Sequence, residues 1–157
     1  MGSPGIQVVR AGRATTSMSG KTFLDTNILV YAVDADDAAR RDACRAVIAS
    51  IAADGSGVIS TQVLQEFYVA ATRKLAMPPL AAKTVLATFA VFEIVQVSPE
   101  LIQDAIDCSV LNTLSFWDAL IVAAAASAGC ARVFTEDLKA TGQTVLGVAI
   151  ENPLGRA

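Results

Sequence analysis

The sequence predicts an α/β fold, a three-layer α/β/α sandwich built around a parallel sheet of about five strands. Short apolar runs alternate with longer segments of helical periodicity, which is the pattern of parallel βαβ units. The chain has 157 residues, of which 54% are apolar and 17% charged, a composition typical of one domain with a full core. We therefore predict a single domain over residues 21–150, between an N-terminal extension (1–20) and a C-terminal tail (151–157).

The first 20 residues are predicted to be a flexible extension or a remnant of cloning, because they lack the apolar core of a secretory signal. Met18 would then be a natural first residue. No apolar run in the sequence reaches the ~18 residues that a membrane span requires, so we expect a cytoplasmic protein without a membrane segment. The three cysteines form no CxxC pair and are expected to be reduced and mostly buried.

Five elements are predicted in the first half of the chain from apolar periodicity and from residues that stop helices. They are a strand at 21–24, a short helix at 26–33, an amphipathic helix at 38–53, a strand at 58–60 and a helix at 61–75. Gly55 and Gly57 end the amphipathic helix, and Pro78 and Pro79 follow the last one. Helices between strands are the connections that a parallel sheet requires.

The second half continues the alternation. It is predicted to contain a helix at 80–92, a strand at 94–97, a helix from 99, a largely apolar helix at 115–128, and strands at 132–135 and 144–148. Ser98 and Pro99 are typical of an N-cap and a first helical position, and Gly129 ends the apolar helix. In open α/β sheets the site lies outside the carboxyl ends of the strands, so polar residues there are the first candidates for function.

The absence of histidine from the sequence excludes several kinds of active site. There can be no Ser-His-Asp or Cys-His nucleophile pair, no HExxH zinc site and no histidine general base. The net charge of −3 argues against a protein that coats nucleic acid non-specifically. The glycines at 20, 55 and 57 complete neither a P-loop nor a dinucleotide fingerprint. Any chemistry must use carboxylates, lysine, hydroxyls, thiols or a bound ion.

Acidic residues occupy four positions that a site at this edge could use. Asp25 directly follows the first strand, and Asp137, with Glu136 beside it, follows the strand at 132–135. Glu66 lies at the margin of the apolar stripe of its helix, and Asp118 is the lone charge in an apolar stretch. Taken singly, Asp25, Asp118 and Asp137 are explained as well by a helix cap or a turn, and Glu66 is better explained as a solvated side chain.

Taken together, these acids predict a metal-dependent site. Carboxylates that converge on one edge repel one another and acquire raised pKa values unless a divalent cation neutralises them. Oxygen ligands without histidine or cysteine favour Mg²⁺ or Mn²⁺ over zinc. Such an ion can activate water for attack on a phosphate. The residues alone therefore indicate metal-dependent phosphoester chemistry.

Four motifs in order resemble those of the PIN domain, particularly of the VapC-like toxins of bacterial toxin–antitoxin pairs. The motifs are Phe23-Leu24-Asp25-Thr26-Asn27, Gln65-Glu66-Phe67, Trp117-Asp118-Ala119-Leu120 and Phe134-Thr135-Glu136-Asp137-Leu138, within residues 21–148. The resemblance implies the three-layer sandwich and an endoribonuclease activity. It also implies a homodimer and a small antitoxin protein as partner.

By this resemblance, Asp25, Glu66, Asp118 and Asp137 correspond to the acids that hold Mg²⁺ or Mn²⁺ in such nucleases. Glu136 is adjacent and could share or take the fourth role. Thr135 resembles the hydroxyl residue beside the fourth acid. We therefore expect metal-dependent cleavage of single-stranded RNA.

Two other functions remain open. A phosphatase of the haloacid dehalogenase type also has an aspartate after its first strand, but it would need a second aspartate two residues on, where this chain has Asn27. A non-catalytic interaction module on the same fold is the other alternative. Substitution of Asp25 and Asp118 separates these functions from a nuclease.

Two further expectations concern surfaces. An apolar-rich small domain is expected to leave an apolar face for a homodimer, with the helices at 61–75 and 80–92 as candidates. Two clusters of cations could contact phosphate or simply be solvated. They are Arg40, Arg41 and Arg45 on one helix, and Arg73 with Lys74 on another.

Overall fold

The computed structural model describes residues 20–155 of the chain. The predicted N-terminal extension, apart from Gly20, and the last two residues of the predicted tail lie outside this range. The elements in order are β1 (Lys21–Leu24), α1 (Thr26–Tyr31), α2 (Ala38–Asp54), β2 (Gly57–Ser60), α3 (Thr61–Arg73), α4 (Pro79–Thr88), a 3-10 turn (Phe89–Val91), β3 (Glu93–Val95), α5 (Pro99–Asn112), α6 (Phe116–Ser127), β4 (Cys130–Phe134), β5 (Thr144–Val145) and β6 (Val148–Glu151). The predicted elements before residue 135 are all present, with ends shifted by a few residues.

Within the described residues, six strands form one sheet in the order β3-β2-β1-β4-β6-β5. The central strand β1 pairs in parallel with β2 and β4, and β3 and β6 extend the parallel sheet on either side. α6 contacts β2, β4 and β6, while α2 and α3 contact β2. The predicted α/β class, with a mostly parallel sheet flanked by helices, is confirmed.

The end of the chain differs from the expected sheet of about five parallel strands. The segment predicted as one strand at 144–148 forms two strands, β5 and β6, which pair antiparallel. Between them, Leu146 and Gly147 have φ values of 50° and 76°, and two successive positive φ values produce the tight hairpin turn that matches strand twist. Leucine rarely adopts this conformation, so the sequence carried only a weak signal for the turn.

Helix α6 is packed deep in the core. Residues 119–125 are all 3% exposed or less, which confirms the predicted buried apolar helix. Its alanines allow the backbone to approach the sheet closely, and Ser115 caps the first turn by accepting a hydrogen bond at Oγ from the Asp118 N–H (3.1 Å). The start of α6, and with it Asp118, is therefore fixed relative to the strands.

The three cysteines, Cys44, Cys108 and Cys130, are buried free thiols, as the sequence predicts. Burial raises the pKa of the Cys44 and Cys130 thiols to about 11. Both thiols are therefore protonated at neutral pH, where a protonated thiol is a weak nucleophile.

Within residues 20–155, no single helix is long and apolar enough to cross a membrane. Helices α5 and α6 meet that criterion of length and composition only as a pair, bent by 116°.

Candidate active site

A cleft of about 1030 Å³ lies at the carboxyl edge of the sheet. Its walls come from the start of α1, one side of α3, the first turn of α6 and the loop after β4. The four predicted acids, Asp25, Glu66, Asp118 and Asp137, all line it. The fold therefore brings together, in one cleft, side chains that are up to 112 residues apart in the chain.

Asp25 is held by two neighbouring strands. It follows β1 as the N-cap of α1, and its Oδ1 accepts a hydrogen bond from the Thr26 N–H (2.7 Å). Its Oδ2 accepts from Oγ1 of Thr135 (2.8 Å), which follows β4 and is fully buried. Because β1 and β4 are paired, the sheet fixes the Thr135 donor, and the Thr26 donor is the next N–H of the main chain. The orientation of the Asp25 carboxylate is therefore set by the backbone.

Both carboxylate oxygens of Glu66 accept hydrogen bonds. Thr26 Oγ1 donates to Oε2 (2.8 Å) and Gln62 Nε2 donates to Oε1 (2.9 Å). The same Gln62 amide donates to the main-chain carbonyl of Trp117 (3.2 Å), the residue before Asp118. Gln62 is 3% exposed. It therefore ties the acid on α3 to the helix that carries the acid on α6.

The sequence reasoning missed the roles of Gln62 and Thr26. Gln62 precedes Glu66 by four residues, a spacing that places both on one face of a helix, and this spacing was the available signal. The contact of Thr26 with Glu66 joins α1 to α3, and sequence periodicity carries no information about such a contact.

The structure separates the two candidates for the fourth acid. Asp137 lines the cleft, and its N–H donates to Thr135 Oγ1 (3.3 Å). Glu136 instead pairs with Arg40 (Oε1 to Nη2, 3.4 Å), whose guanidinium lies 4.6 Å from the centre of the Tyr31 ring. This geometry favours Asp137 over Glu136 for work inside the cleft.

The ionised forms of Asp25 and Asp118 are destabilised by burial and, to a smaller extent, by neighbouring acids. Burial raises the pKa of Asp25 to about 6 despite hydrogen bonds from Thr135 and Thr26, and the charges of Glu66 and Asp118 add to the rise. The pKa of Asp118 is also raised, chiefly by burial and further by Glu66 and Asp137. Among the described residues, no lysine or arginine forms an ion pair with any of these four acids.

This donor set fits a hard divalent cation. Carboxylate and hydroxyl oxygens are the ligands that Mg²⁺ and Mn²⁺ prefer. The described part of the chain contains no group of three or more His, Cys, Asp or Glu side chains close enough to form a complete metal site. Mg²⁺ is commonly held by one or two carboxylates and several waters, and a cleft with spaced acids suits that mode of binding.

One of the two predicted basic clusters reaches the cleft. Arg73 and Lys74, at the end of α3, line the cleft wall. Arg41 instead pairs with Asp42 (3.1 Å), and Arg45 donates to the carbonyl of Ala32 (2.7 Å). Arg73 and Lys74 are therefore the cations placed to contact a molecule that binds beside the acids.

Comparison with known proteins identifies similar folds. The family model described as the PIN domain matches residues 22–141. The solved structure of VapC20 from Mycobacterium tuberculosis, described as a sarcin–ricin loop cleaving toxin, is 24% identical with a TM-score of 0.64 and covers 74% of this chain and 90% of that chain. A toxin–antitoxin complex from Klebsiella pneumoniae is 19% identical with a TM-score of 0.65 (85% and 98% covered). DNA-bound VapBC from Salmonella typhimurium is 20% identical with a TM-score of 0.63 (85% and 98%). Comparison with curated proteins gives no match.

We predict that the metal-free protein loses stability between about pH 4 and pH 6. The pKa of Asp25 is raised to about 6 from 3.8, so the folded state retains a proton that the unfolded chain has released. The free energy of unfolding then falls by up to about 3 kcal/mol as pH rises through this window. Chemical unfolding in EDTA across this range measures the fall.

The variant Asp118→Asn tests the contribution of neighbouring charge, which adds to that of burial. It removes one of the charges that raise the pKa of Asp25, so the loss between pH 4 and 6 should shrink and the metal-free melting temperature at pH 7 should rise. The exposed acid Asp107 on α5 supplies the control, Asp107→Asn. Identical pH dependence in Asp118→Asn and wild type would contradict this account.

Proposed function

The chain belongs to the PIN domain family, and from this premise we propose that it is an endoribonuclease that cleaves phosphodiester bonds of single-stranded RNA with Mg²⁺ or Mn²⁺. The observation that carries the proposal is the cleft with four carboxylates at the carboxyl edge of the sheet. A chain without histidine has few other means of activating water. We further propose that the protein is the toxin of a toxin–antitoxin pair.

In this proposal Asp25 and Asp118 are the principal metal ligands, and Glu66 and Asp137 complete the set. A bound ion would lower the pKa of a coordinated water and neutralise charge that develops on the phosphate. Thr135 and Thr26 orient Asp25 through 2.8 Å and 2.7 Å hydrogen bonds. Each carboxylate oxygen of Glu66 accepts one hydrogen bond and retains a lone pair for a cation or water.

Charge in the cleft bears on how RNA is held. Ionised carboxylates repel phosphate, so RNA binding by a protein of net charge −3 should be strengthened by the cation and by local basic residues. Arg73 and Lys74 on the cleft wall supply such residues beside the acids. A single strand leaves its phosphates and bases free to enter a cleft of this kind.

Protein partners are proposed on two grounds. The structures from Klebsiella pneumoniae and Salmonella typhimurium are described as toxin–antitoxin and DNA-bound VapBC complexes, which supports a small antitoxin as partner. Tyr68, Val69 and Leu80 are exposed apolar side chains on α3 and α4, the helices predicted to form a homodimer. We propose that both associations involve the domain at residues 21–150. We also propose that the protein acts in the cytoplasm.

The proposed activity is tested with purified protein and total RNA, with cleavage ends mapped by sequencing. We expect cleavage with Mg²⁺ or Mn²⁺ that stops in excess EDTA, and a loss of more than about 100-fold in Asp118→Asn, since even indirect supports of a metal site typically contribute 10–100-fold. Asp107→Asn is the matched control and should cleave like wild type. Cleavage that persists in EDTA or in Asp118→Asn would contradict the proposal, and an aspartyl-phosphate on Asp25 would indicate the phosphatase instead.

Gln62→Met tests whether the two hydrogen bonds of the Gln62 amide, here called the Gln62 clamp, prepare the site for metal. Methionine keeps the length of the side chain but removes both hydrogen bonds, to Glu66 and to the Trp117 carbonyl. We expect Mn²⁺ affinity, measured by electron paramagnetic resonance, to fall about 10-fold. Gln103→Met, at an exposed glutamine on α5 outside the cleft, is the control for Mn²⁺ affinity. Equal affinity in Gln62→Met and wild type would show that the Gln62 clamp does not serve the metal.

Arg73→Ala tests the basic wall of the cleft. Loss of one phosphate contact should weaken RNA binding and reduce the slope of log K against log salt by about one unit. Binding is measured in the Asp118→Asn background to prevent cleavage. Arg41→Ala, whose arginine pairs with Asp42 outside the cleft, should leave the slope unchanged. The same slope in all three proteins would remove Arg73 from the RNA interface.

A further inference from the structure

We propose that Trp117 is a stacking platform for one unpaired nucleobase of the RNA, next to the phosphate that the acids would attack. The inference rests on the proposed ribonuclease function and adds a subsite to it. The ligand of this subsite is a flat aromatic base, and its recognition is separate from that of the phosphate.

Trp117 is unusually placed for such a large apolar side chain. It is 63% exposed, although it stands in the first turn of a helix whose residues 119–125 are buried in the core. It is also the single tryptophan of the chain. An exposed indole face next to an acidic cleft leaves apolar area that a stacked base would cover, and stacking on aromatic rings is a general mode of single-strand recognition.

The indole lies where two depressions meet. Trp117 lines the acid cleft and also a second hollow of about 290 Å³, which Gln65, Val97 and Ile102 help to form. This volume is at the lower limit for small-molecule sites, so it suits one base rather than a protein segment. Trp117 and Asp118 line the same cleft as the other acids. A base on Trp117 would thus belong to a nucleotide at or beside the reacting phosphate.

The platform is restrained by contacts that do not need a ligand. The rings of Phe116 and Trp117 pack in an edge-to-face arrangement, with centroids 5.1 Å apart at 70°. The buried Gln62 amide fixes the Trp117 carbonyl, and Gln65 at the shared rim offers an amide to the edge of a base. A restrained platform loses less conformational entropy on binding than a free side chain, which favours a specific contact.

The fluorescence of the single tryptophan makes a direct test possible. In the Asp118→Asn background, a short single-stranded RNA should quench Trp117 emission with the same midpoint as its binding curve from anisotropy of a labelled strand. Trp117→Ala should bind this RNA about 5- to 150-fold more weakly, the usual contribution of one stacked base. Trp117→Phe should restore most of the affinity, whereas Trp117→Leu, apolar but not flat, should not.

Salt dependence distinguishes this subsite from the basic wall. Stacking releases no counterions, so Trp117→Ala should lower affinity without changing the salt slope, in contrast to Arg73→Ala. Melting temperatures of the variants check that each is folded. Unchanged RNA affinity in folded Trp117→Ala would overturn the proposal. If Trp117→Ala also lost dimer mass in light scattering while it retained RNA affinity, the indole would be assigned to a protein contact instead. Failure of wild-type protein to bind or cleave RNA would instead count against the proposed function.

Discussion

The burial of several carboxylates beside one another is the constraint on which this edge of the sheet depends. Asp25 and Asp118 both have raised pKa values, because burial deprives them of water and Glu66 adds negative charge nearby. The surrounding structure orients these acids without neutralising them. Threonine hydroxyls and a glutamine amide donate hydrogen bonds, but no lysine or arginine closes an ion pair with any of the four acids among the described residues. The arrangement leaves the compensating charge to come from outside the protein.

The fold sets the positions of these acids through a small number of contacts. Parallel strands β1 and β4 end side by side, so Asp25 and Thr135 meet without any loop having to position them. Helix α6 is fixed by a core of small residues, which makes the location of Asp118 a consequence of packing. Gln62 then connects α3 to α6 by a single buried amide. The sheet and the core therefore set the positions of the acids, whereas residues on the exposed walls of the cleft can be substituted without moving the acids.

Much of the arrangement could be predicted from the sequence, and the failures have physical reasons. Strand ends and helix caps are local features, so the positions of Asp25 and Asp118 followed from the pattern. The turn at Leu146 and Gly147 was missed because leucine rarely adopts a positive φ. The role of Gln62 depends partly on Trp117, 55 residues away, and periodicity does not encode such contacts. The two basic clusters could not be distinguished in the sequence. Only the structure shows that Arg41 pairs with Asp42, whereas Arg73 and Lys74 line the cleft.

The short helix α1 restricts how the chain can change over evolutionary time. Its N-cap and first turn present three consecutive side chains to two parts of the molecule. Asp25 and Asn27 contact Thr135 and Glu136 after β4, and Thr26 contacts Glu66 on α3. A substitution at any one of the three disturbs a contact that the others help to position, and effects of adjacent substitutions should not add. Descendants of this sequence should therefore keep the tripeptide as a unit while the cleft walls drift, so that new substrates can be acquired without rebuilding the acid cluster.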